Sequence, residues 1–309
     1  MKVDVMIPTY KPDKKFIELV KRLEEQTLEI EQIIVINTEE QYMNKLFMGT
    51  RFLAEHKKLK IFHISKHEFD HGLTRNYGAK KSDADILVYM TQDAMPSDNM
   101  LLEKLIAPLQ QENVAVSYAR QLPAKDATVA ECITREFNYP DKSRIKTKSD
   151  LKTLGIKTFF CSNVCAAYKK SIFKQLGGFV NHTIFNEDMI FAGKAVEAGY
   201  GIAYAADACV IHSHNYTWRQ QFKRNFDLGV SQADHPEVFS GISSESEGKK
   251  MVKLAIDRMK KEGHKKAVFP YIIMSGFKFL GYRAGKMYKK LPKFLVKKWS
   301  MSPNYWIKK

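Results

Sequence analysis

The chain has 309 residues, of which 44% are hydrophobic. It can therefore bury a sizeable core, and its length excludes a single minimal domain. The net charge is +16, but residues 249–309 carry 18 of the 50 Lys and Arg and only two of the 34 Asp and Glu, so residues 1–248 are neutral overall. A basic segment of this kind is typical of proteins that meet an anionic surface, either nucleic acid or acidic lipid.

The cysteines form no CxxC pair, and the chain opens with Met-Lys-Val-Asp rather than with a signal peptide. They are Cys132, Cys161, Cys165 and Cys209. This pattern is typical of a reducing compartment, so we expect a cytoplasmic protein.

Short apolar runs of strand length recur through the first 120 residues. They cover residues 3–7, 33–36, 60–64, 86–90 and 114–119, with helical stretches between them. Strands that alternate with helices need parallel crossovers. The sequence therefore predicts an α/β fold with a doubly wound, mostly parallel sheet that is flanked by helices.

Asp93 follows the central run of this series. Residues 86–90 are continuously apolar, as expected of a strand covered on both faces, and Thr91-Gln92-Asp93 leads out of it. Ligands of open α/β sheets bind at the carboxyl ends of strands, where a carboxylate can hold a divalent cation against phosphate oxygens. The simpler alternative is a solvated Asp at the end of a strand.

Residues 123–160 interrupt the alternation with mixed polarity and a stretch rich in Lys and Arg. We interpret them as an insertion that faces an acceptor or forms a mobile lid, with a plain surface loop as the alternative. Order returns with an apolar run at residues 164–168 and a helix capped by Ser171. A later helix carries Glu187 and Asp188 in its first turn and ends at Gly199. The helix dipole favours ionised carboxylates there, although the pair could simply cap the helix.

His67-Glu68-Phe69-Asp70-His71 formally matches the HExxH motif of zinc proteases. That chemistry needs both His on one face of a helix, with Glu as the base. Gly72 follows at once, and Thr74 is a good N-cap for a helix that begins after it. We therefore place the five residues in a loop and disfavour the protease.

Several of these pieces, in this order, resemble the inverting glycosyltransferases of family 2, which have the GT-A fold. The resemblance covers roughly residues 3–230. It rests on Ile7-Pro8-Thr9-Tyr10, Asp93, Gly177-Gly178-Phe179, Asn186-Glu187-Asp188, Ala198-Gly199-Tyr200 and a later His. Three stretches look most like bacterial rhamnosyltransferases, which use dTDP-L-rhamnose to build surface polysaccharides. They are residues 69–76, 91–94 and 212–217.

The resemblance implies roles for particular residues. Asp188 would be the general base that deprotonates the acceptor hydroxyl, and Glu187 would orient the helix start or the acceptor. The residues that would bind the nucleotide sugar are Pro8, Thr9, Tyr10, Asn37, Arg75, Gln92 and Asp93. Asp93 would hold Mg²⁺ or Mn²⁺ together with His212 or His214. Tyr10 could instead pack on its own loop, and either His could serve a structural hydrogen bond.

Three positions depart from the family pattern. Thr91-Gln92-Asp93 leaves one carboxylate where the usual Asp-x-Asp has two, and Asn37 opens Asn-Thr-Glu-Glu where Asp-x-Gly-Ser is common. Gln221 and Arg224 are followed by Asn225 rather than Trp, so the Gln-x-x-Arg-Trp signature of processive synthases is incomplete. We expect transfer of one or a few sugars, with a UDP-sugar as the alternative donor.

We divide the chain into a GT-A catalytic domain, residues 1–230, and a basic amphipathic helical region, residues 231–309. Within the catalytic domain, residues 1–119 would form the nucleotide-sugar half and residues 120–230 the acceptor half. The expected partners are a nucleotide sugar donor and a saccharide or lipid-linked saccharide acceptor.

The basic region favours attachment to a membrane. Its apolar run, residues 267–277, is shorter than the roughly 20 residues that span a bilayer. Beyond this run, Lys and Arg alternate with apolar residues, as in segments that lie among lipid headgroups. These residues are Lys278, Phe279, Leu280, Tyr282, Arg283, Lys286, Lys289, Lys290, Leu291, Lys293, Phe294, Leu295, Val296, Lys297, Lys298 and Trp299. We expect a peripheral protein on the inner face of the cell membrane.

Two alternatives remain for this region. It could be a packed helical cap with a solvated basic face, or a nucleic-acid-binding module. Because no recognition motif accompanies its aromatic and basic residues, we expect no nucleic-acid partner.

Overall fold

The structure, a computed structural model, describes residues 1–241 and 244–307. Its strands belong to one mixed sheet. In chain order they are β1 (Val3–Tyr10), β2 (Gln32–Thr38), β3 (Leu59–Ile64), β4 (Ile86–Met90), β5 (Met95–Pro96), β6 (Val114–Leu122), β7 (Arg144–Lys146), β8 (Cys165–Lys169) and β9 (Gly201–Ile211). The five apolar runs of the sequence thus form β1, β2, β3, β4 and β6, as predicted.

The helices pack on both faces of the sheet and continue beyond it. They are α1 (Lys14–Glu24), α2 (Glu40–Phe47), α3 (Phe52–Glu55), α4 (His71–Lys80), α5 (Leu101–Ile106), α6 (Val129–Asn138), α7 (Leu151–Leu154), α8 (Lys170–Gln175), α9 (Glu187–Glu197), α10 (Trp218–Asp234), α11 (Pro236–Phe239), α12 (Ser244–Lys261), α13 (Lys265–Lys286) and α14 (Lys293–Trp299). None of the described helices is both long and apolar enough to cross a bilayer.

The sheet has the order β3-β2-β1-β4-β8-β6-β9-β5, with β7 paired to β9. Strands β3, β2, β1 and β4 are parallel, as the alternation of strands and helices predicts. Strand β8 is antiparallel to both β4 and β6, while β9 is parallel to β6. The carboxyl ends of β1, β4, β6 and β9 therefore meet at one edge of the sheet.

The first turn of α4 differs from the prediction. The helix begins at His71 rather than after Thr74, because Asp70 caps it by accepting hydrogen bonds from the backbone N–H groups of Gly72 and Leu73. A Cβ at Gly72 would lie 1.8 Å from the carbonyl oxygen of Val180, so this glycine permits a close approach rather than ending a helix. Since only the last residue of the HExxH match is helical, the motif lacks the geometry of a zinc protease.

The C-terminal helices are packed against the body through α10 and α13. The two helices cross so closely that a Cβ at Gly285 would lie 2.0 Å from the carbonyl oxygen of Phe226, and one at Gly281 would lie 2.2 Å from that of Phe222. Helix α10 also runs without a break across residue 230, where the sequence predicts a boundary. The division at that residue stays a prediction.

Gly285→Ala is expected to lower the free energy of unfolding by about 1–3 kcal/mol, because the added methyl group overpacks the crossing. Gly276→Ala is the matched control, since the same helix leaves open space around Gly276. There the change should be neutral or stabilising, because alanine restricts the unfolded chain. Urea denaturation of both variants measures the difference; equal effects would contradict the close crossing.

Candidate active site

A cleft of about 610 Å³ opens at the edge of the sheet where β4, β6 and β9 end. Its walls come from strand ends, from the starts of α4 and α9, and from α6, α10 and α13. The polar and charged residues that line it include His71, Arg75, Asp93, Gln121, Glu131, Arg135, Asn163, Glu187, Asp188, His212, His214, Tyr216, Arg224 and Lys278. Residues 123–160 contribute through α6, so this insertion does form a wall of the cleft.

Asp93, His212 and His214 meet in the cleft. Asp93 follows β4 and the two His follow β9, so the parallel ends of the strands bring them together. His212 Nε2 lies 3.6 Å from Asp93 Oδ1, and His214 Nε2 lies 3.4 Å from Asp93 Oδ2. One ligand atom from each residue falls within 4.8 Å of the others, which is a spacing that one cation could bridge.

Gln121 at the end of β6 orients His212. The Gln121 side chain accepts a hydrogen bond from Arg135 through Oε1, and the same oxygen lies 3.0 Å from His212 Nδ1. An acceptor at that place assigns the proton of the neutral ring to Nδ1 and leaves a lone pair on Nε2. Burial, the largest influence, lowers the pKa of His212 to about 3, so the ring is neutral.

Glu187 and Asp188 enter the cleft from the first turn of α9, as predicted. Asn186 precedes them with a φ of +65°, a left-handed conformation that asparagine tolerates. Asn163 holds both carboxylates: its backbone N–H donates to Asp188 Oδ2 at 3.0 Å, and its amide donates to Glu187 Oε1 at 3.0 Å. Tyr168 of β8 donates to the Asn163 amide oxygen and fixes this side chain.

The two carboxylates differ in their electrostatics. Burial, followed by the negative charge of Glu187, raises the pKa of Asp188 to about 7. Burial acts in the same direction on Glu187, but the positive charge of Arg75, with His71 and the Asn163 hydrogen bond, holds its pKa below the ordinary range. Glu187 therefore favours the ionised form more strongly than Asp188, which can gain and lose a proton near neutral pH.

Arg75 lies one turn into α4 rather than at its start. Its guanidinium is 3.3 Å from Glu187 Oε1 and donates to the backbone carbonyl of His71. The Arg75 Nε atom is buried without a partner among the described residues. In this structure Arg75 balances the charge of Glu187, and its contact with a nucleotide sugar stays a prediction.

The predicted nucleotide-binding residues around β1 lie beside the cleft rather than in its lining. Thr9 and Asn37 are buried, and the Thr9 hydroxyl donates to the Asn37 amide oxygen at 3.1 Å. The Asn37 amide nitrogen is engaged by the carbonyl of Glu39 and by His63. These hydrogen bonds engage the Asn37 side chain within the protein, and its contact with a nucleotide sugar stays a prediction.

Gln92 and Tyr10 form the exposed end of this region, next to Pro8 at the end of β1. The Gln92 amide hydrogen-bonds both the N–H and the carbonyl of Tyr10, at 2.9 and 3.1 Å. Tyr10 is 38% exposed, and its ring meets the ring of Tyr42 edge-on. The ammonium group of Lys11 lies 5.3 Å from its centre. The ammonium group of Lys66 also lies over the Tyr10 ring, 5.9 Å from its centre. The binding of a base to Tyr10 stays a prediction.

Lys278 corrects one prediction for the C-terminal region. The sequence predicts that this lysine faces lipid, but it lines the cleft from α13. Val296 is buried, and Trp299 packs edge-on against Phe222, so these residues face the protein as well. Sequence reasoning missed this contribution because nothing local to residue 278 indicates which helix face meets a distant cleft.

Comparison with known proteins identifies relatives of nearly the same length. The O-antigen chain rhamnosyltransferase RfbN of Salmonella typhimurium is 39% identical over 313 residues, which cover 99% of this chain and 96% of RfbN. The O-antigen chain rhamnosyltransferase WbaN of Salmonella anatum is 40% identical over 310 residues, with 98% and 95% covered.

Solved structures share the fold at low identity. The mannosyltransferase PcManGT from Pyrobaculum calidifontis, in complex with GDP-Man and Mn²⁺, has a TM-score of 0.62 at 14% identity, covering 94% of this chain and 88% of that one. TarS 1–349 of S. aureus, in complex with UDP-GlcNAc, has a TM-score of 0.53 at 14% identity, covering 94% and 92%. These similarities confirm the predicted GT-A fold.

Comparison of the chain with models of protein families agrees with the relatives and with the solved structures. The family described as glycosyl transferase family 2 matches residues 4–177, more than half of the chain. Together with the two relatives at 39% and 40% identity, this match confirms the resemblance on which the sequence interpretation rests. The chain belongs to glycosyl transferase family 2 and is a glycosyltransferase.

Proposed function

We propose that this glycosyltransferase moves L-rhamnose from dTDP-L-rhamnose, with inversion, to a hydroxyl of a lipid-linked saccharide in the synthesis of a cell-surface polysaccharide. The two rhamnosyltransferase relatives, matched over nearly the whole chain, support the sugar. The observation that carries the chemistry is one cleft with a proton acceptor, Asp188, and a separate candidate cation site around Asp93.

Asp188 is suited to act as the general base. A base is most effective when its pKa is close to the working pH, and the pKa of Asp188 is about 7. Its carboxylate would accept the proton of the acceptor hydroxyl while the new bond to the anomeric carbon forms and the bond to the nucleoside diphosphate breaks. Asn163 holds Asp188 through its backbone N–H and Glu187 through its side-chain amide, so it is a positioning residue in this proposal. Glu187 would orient the helix start or the acceptor.

The residues around Asp93 fit a divalent cation. The Nε2 lone pair of His212 faces a carboxylate oxygen of Asp93 at 3.6 Å, which places two acceptors opposite each other. A bound cation would satisfy both acceptors. Asp93, His212 and His214 would hold Mg²⁺ or Mn²⁺, which would neutralise negative charge on the departing nucleoside diphosphate. Gln121 would act behind His212 by fixing its tautomer.

A panel of nucleotide sugars tests the donor. The protein is incubated with dTDP-L-rhamnose, UDP-sugars and GDP-Man, with Mg²⁺ or Mn²⁺ and with membranes that carry lipid-linked saccharides. We expect release of nucleoside diphosphate to be fastest from dTDP-L-rhamnose and to stop on chelation of the metal. Faster release from a UDP-sugar would replace the proposed donor with the alternative one.

Attachment to an anionic membrane belongs to the same proposal. Helices α13 and α14 expose large apolar side chains: Phe269 is 70% exposed, Leu280 57% and Phe294 68%. Exposed apolar side chains within a lysine-rich segment are typical of surfaces that lie among lipid headgroups. Residues 249–309 also carry the whole positive excess of the chain. The enzyme would thereby reach its acceptor from the cytoplasmic face of the membrane.

Phe269→Ser combined with Phe294→Ser is expected to weaken co-sedimentation with anionic vesicles. The wild type should bind them less at high salt, because each Lys or Arg near the surface contributes about 1 kcal/mol before screening. Point variants are preferable to truncation, since α13 packs tightly on α10. Met48→Ser is the control, because Met48 is 79% exposed on the catalytic body. Equal binding by the double variant and this control would reject the apolar face.

A further inference from the structure

Lys278 lies on α13, in the C-terminal region of the chain. Most other residues that line the cleft come from the earlier strands and helices. Lys278 lines the cleft, and its ammonium group makes no hydrogen bond or ion pair with residues 1–241 or 244–307. Burial, the largest influence, lowers its pKa. Lys278 is only partly exposed in the cleft, and its ammonium group is free there to pair with an anionic ligand.

Arg224 of α10 also lines the cleft close to Lys278, although it is more exposed. Its guanidinium stacks over the ring of Phe185 at 4.7 Å and lies 5.9 Å from that of Tyr216. The stacking fixes the planar group, yet Arg224 has no anionic partner among the described residues. The positive charge of Arg224 is also one of the influences that lower the pKa of Lys278, so the two cations repel each other.

The carboxylate of Glu131 does not neutralise the positive charges of Lys278 and Arg224. Glu131 favours the charged form of Lys278, but it is already bound to Arg135, with Glu131 Oε1 2.7 Å from Arg135 Nε. Lys278 and Arg135 therefore share the single negative charge of Glu131, and Arg224 adds a third positive charge. A phosphate group carries the negative charge and the acceptor oxygens that this arrangement lacks.

We propose that Lys278, together with Arg224, binds a phosphate group of a ligand in the cleft. The inference rests on the proposed function, which supplies two sources for such a group. One is the diphosphate of the nucleotide sugar, close to Asp93. The other is the diphosphate of a lipid-linked acceptor, since the helix that carries Lys278 also exposes the apolar side chains of Phe269 and Leu280.

Titration calorimetry with two probes tests the inference. The first probe is inorganic pyrophosphate with Mg²⁺, which contains neither base nor sugar. The second is farnesyl diphosphate in neutral-detergent micelles without metal. Lys278→Met should weaken the binding of at least one probe about tenfold or more, since hydrogen bonds between charged groups are among the strongest in proteins. Lys278→Arg should retain most of the affinity.

Lys266→Met is the matched control. Lys266 is exposed on the first turn of the same helix, and this substitution removes the same charge as Lys278→Met. A selective loss with pyrophosphate assigns Lys278 to the donor, and a selective loss with farnesyl diphosphate assigns it to the acceptor. Unchanged binding of both probes overturns the inference. So does a melting temperature that falls further in Lys278→Met than in Lys266→Met, because that result assigns Lys278 a structural role. Failure of dTDP-L-rhamnose as a donor would leave the pyrophosphate result standing.

Discussion

Asp188→Asn is expected to lower kcat for sugar transfer by about a hundred- to ten-thousand-fold, the range that a general base contributes. Asparagine keeps the size of the side chain but cannot take a proton from the acceptor hydroxyl. The donor should bind nearly as before, because Asp188 does not act on the nucleotide. Single-turnover kinetics measure the transfer step, and a titration with dTDP-L-rhamnose measures donor affinity.

Glu197→Gln is the control for this substitution. Glu197 lies at the other end of the same helix, where it pairs with Lys148 on the surface, and surface pairs contribute little to stability. The transfer activity of the Glu197→Gln enzyme should equal that of the wild type. NMR should show that the product anomer is opposite to that of the donor. If the anomeric configuration were retained, or if the Asp188→Asn enzyme kept full turnover, the mechanism with Asp188 as the single general base would be wrong.

The pKa of Asp188 also predicts the pH dependence. Since the base must be ionised, kcat/KM should rise with pH and level off above about pH 7. Stability should respond in the opposite sense. The folded-state pKa is raised from 3.8 to about 7, so the folded protein binds the proton more tightly than the unfolded chain and loses this contribution as pH rises through that window. Asp188→Asn should therefore be at least as stable as the wild type at pH 8.

Local patterns in the sequence predict the parts of the site that lie at the ends of regular elements. The apolar run over residues 86–90 defines β4, and this run alone places the carboxylate that follows it, Asp93, at the edge of the sheet. Glu187 and Asp188 are predicted in the same way, because a helix start is visible in the sequence. His212 and His214 join the site only through the family resemblance, since their spacing does not reveal that Asp93 is near.

Contacts between distant residues cannot be predicted in this way. Gly72 follows the pattern of a residue that ends a helix. The structure shows that a glycine is needed there because the carbonyl of Val180, 108 positions later in the chain, approaches closely. Asn37 has the position of a ligand contact, but its side chain is engaged by Thr9, Glu39 and His63. The close approach at Gly72 and the hydrogen bonds of Asn37 depend on residues that are distant in the sequence, so local patterns do not reveal them.

The basic C-terminal region shows the same limit. Its charge and its aromatic residues predict a surface segment, but periodicity does not tell which face of α13 meets the body. The glycines at positions 281 and 285 decide this, because they allow α13 to press against α10. Lys278 then turns into the cleft, while Phe269 and Leu280 stay exposed.

Asp93→Asn is expected to abolish detectable transfer and to weaken the binding of Mn²⁺ together with dTDP. The substitution removes the carboxylate that neighbours both His212 and His214, and the neutral amide that replaces it binds a divalent cation more weakly because it carries no negative charge. Affinity should fall at least about tenfold, since even the loss of a group that only supports a metal ligand costs this much. Electron paramagnetic resonance of free Mn²⁺ measures binding without relying on activity.

Asp83→Asn is a suitable control, because Asp83 is exposed in the segment between α4 and β4 and does not line the cleft. It should bind Mn²⁺ and transfer sugar like the wild type. His214→Ala should also weaken Mn²⁺ binding, whereas a purely structural Asp93 would leave it unchanged in both variants. If Asp93→Asn kept its turnover, the candidate cation site would be wrong. The positive charge for the leaving diphosphate would then have to come from Arg75, Arg224 and Lys278, which line the same cleft.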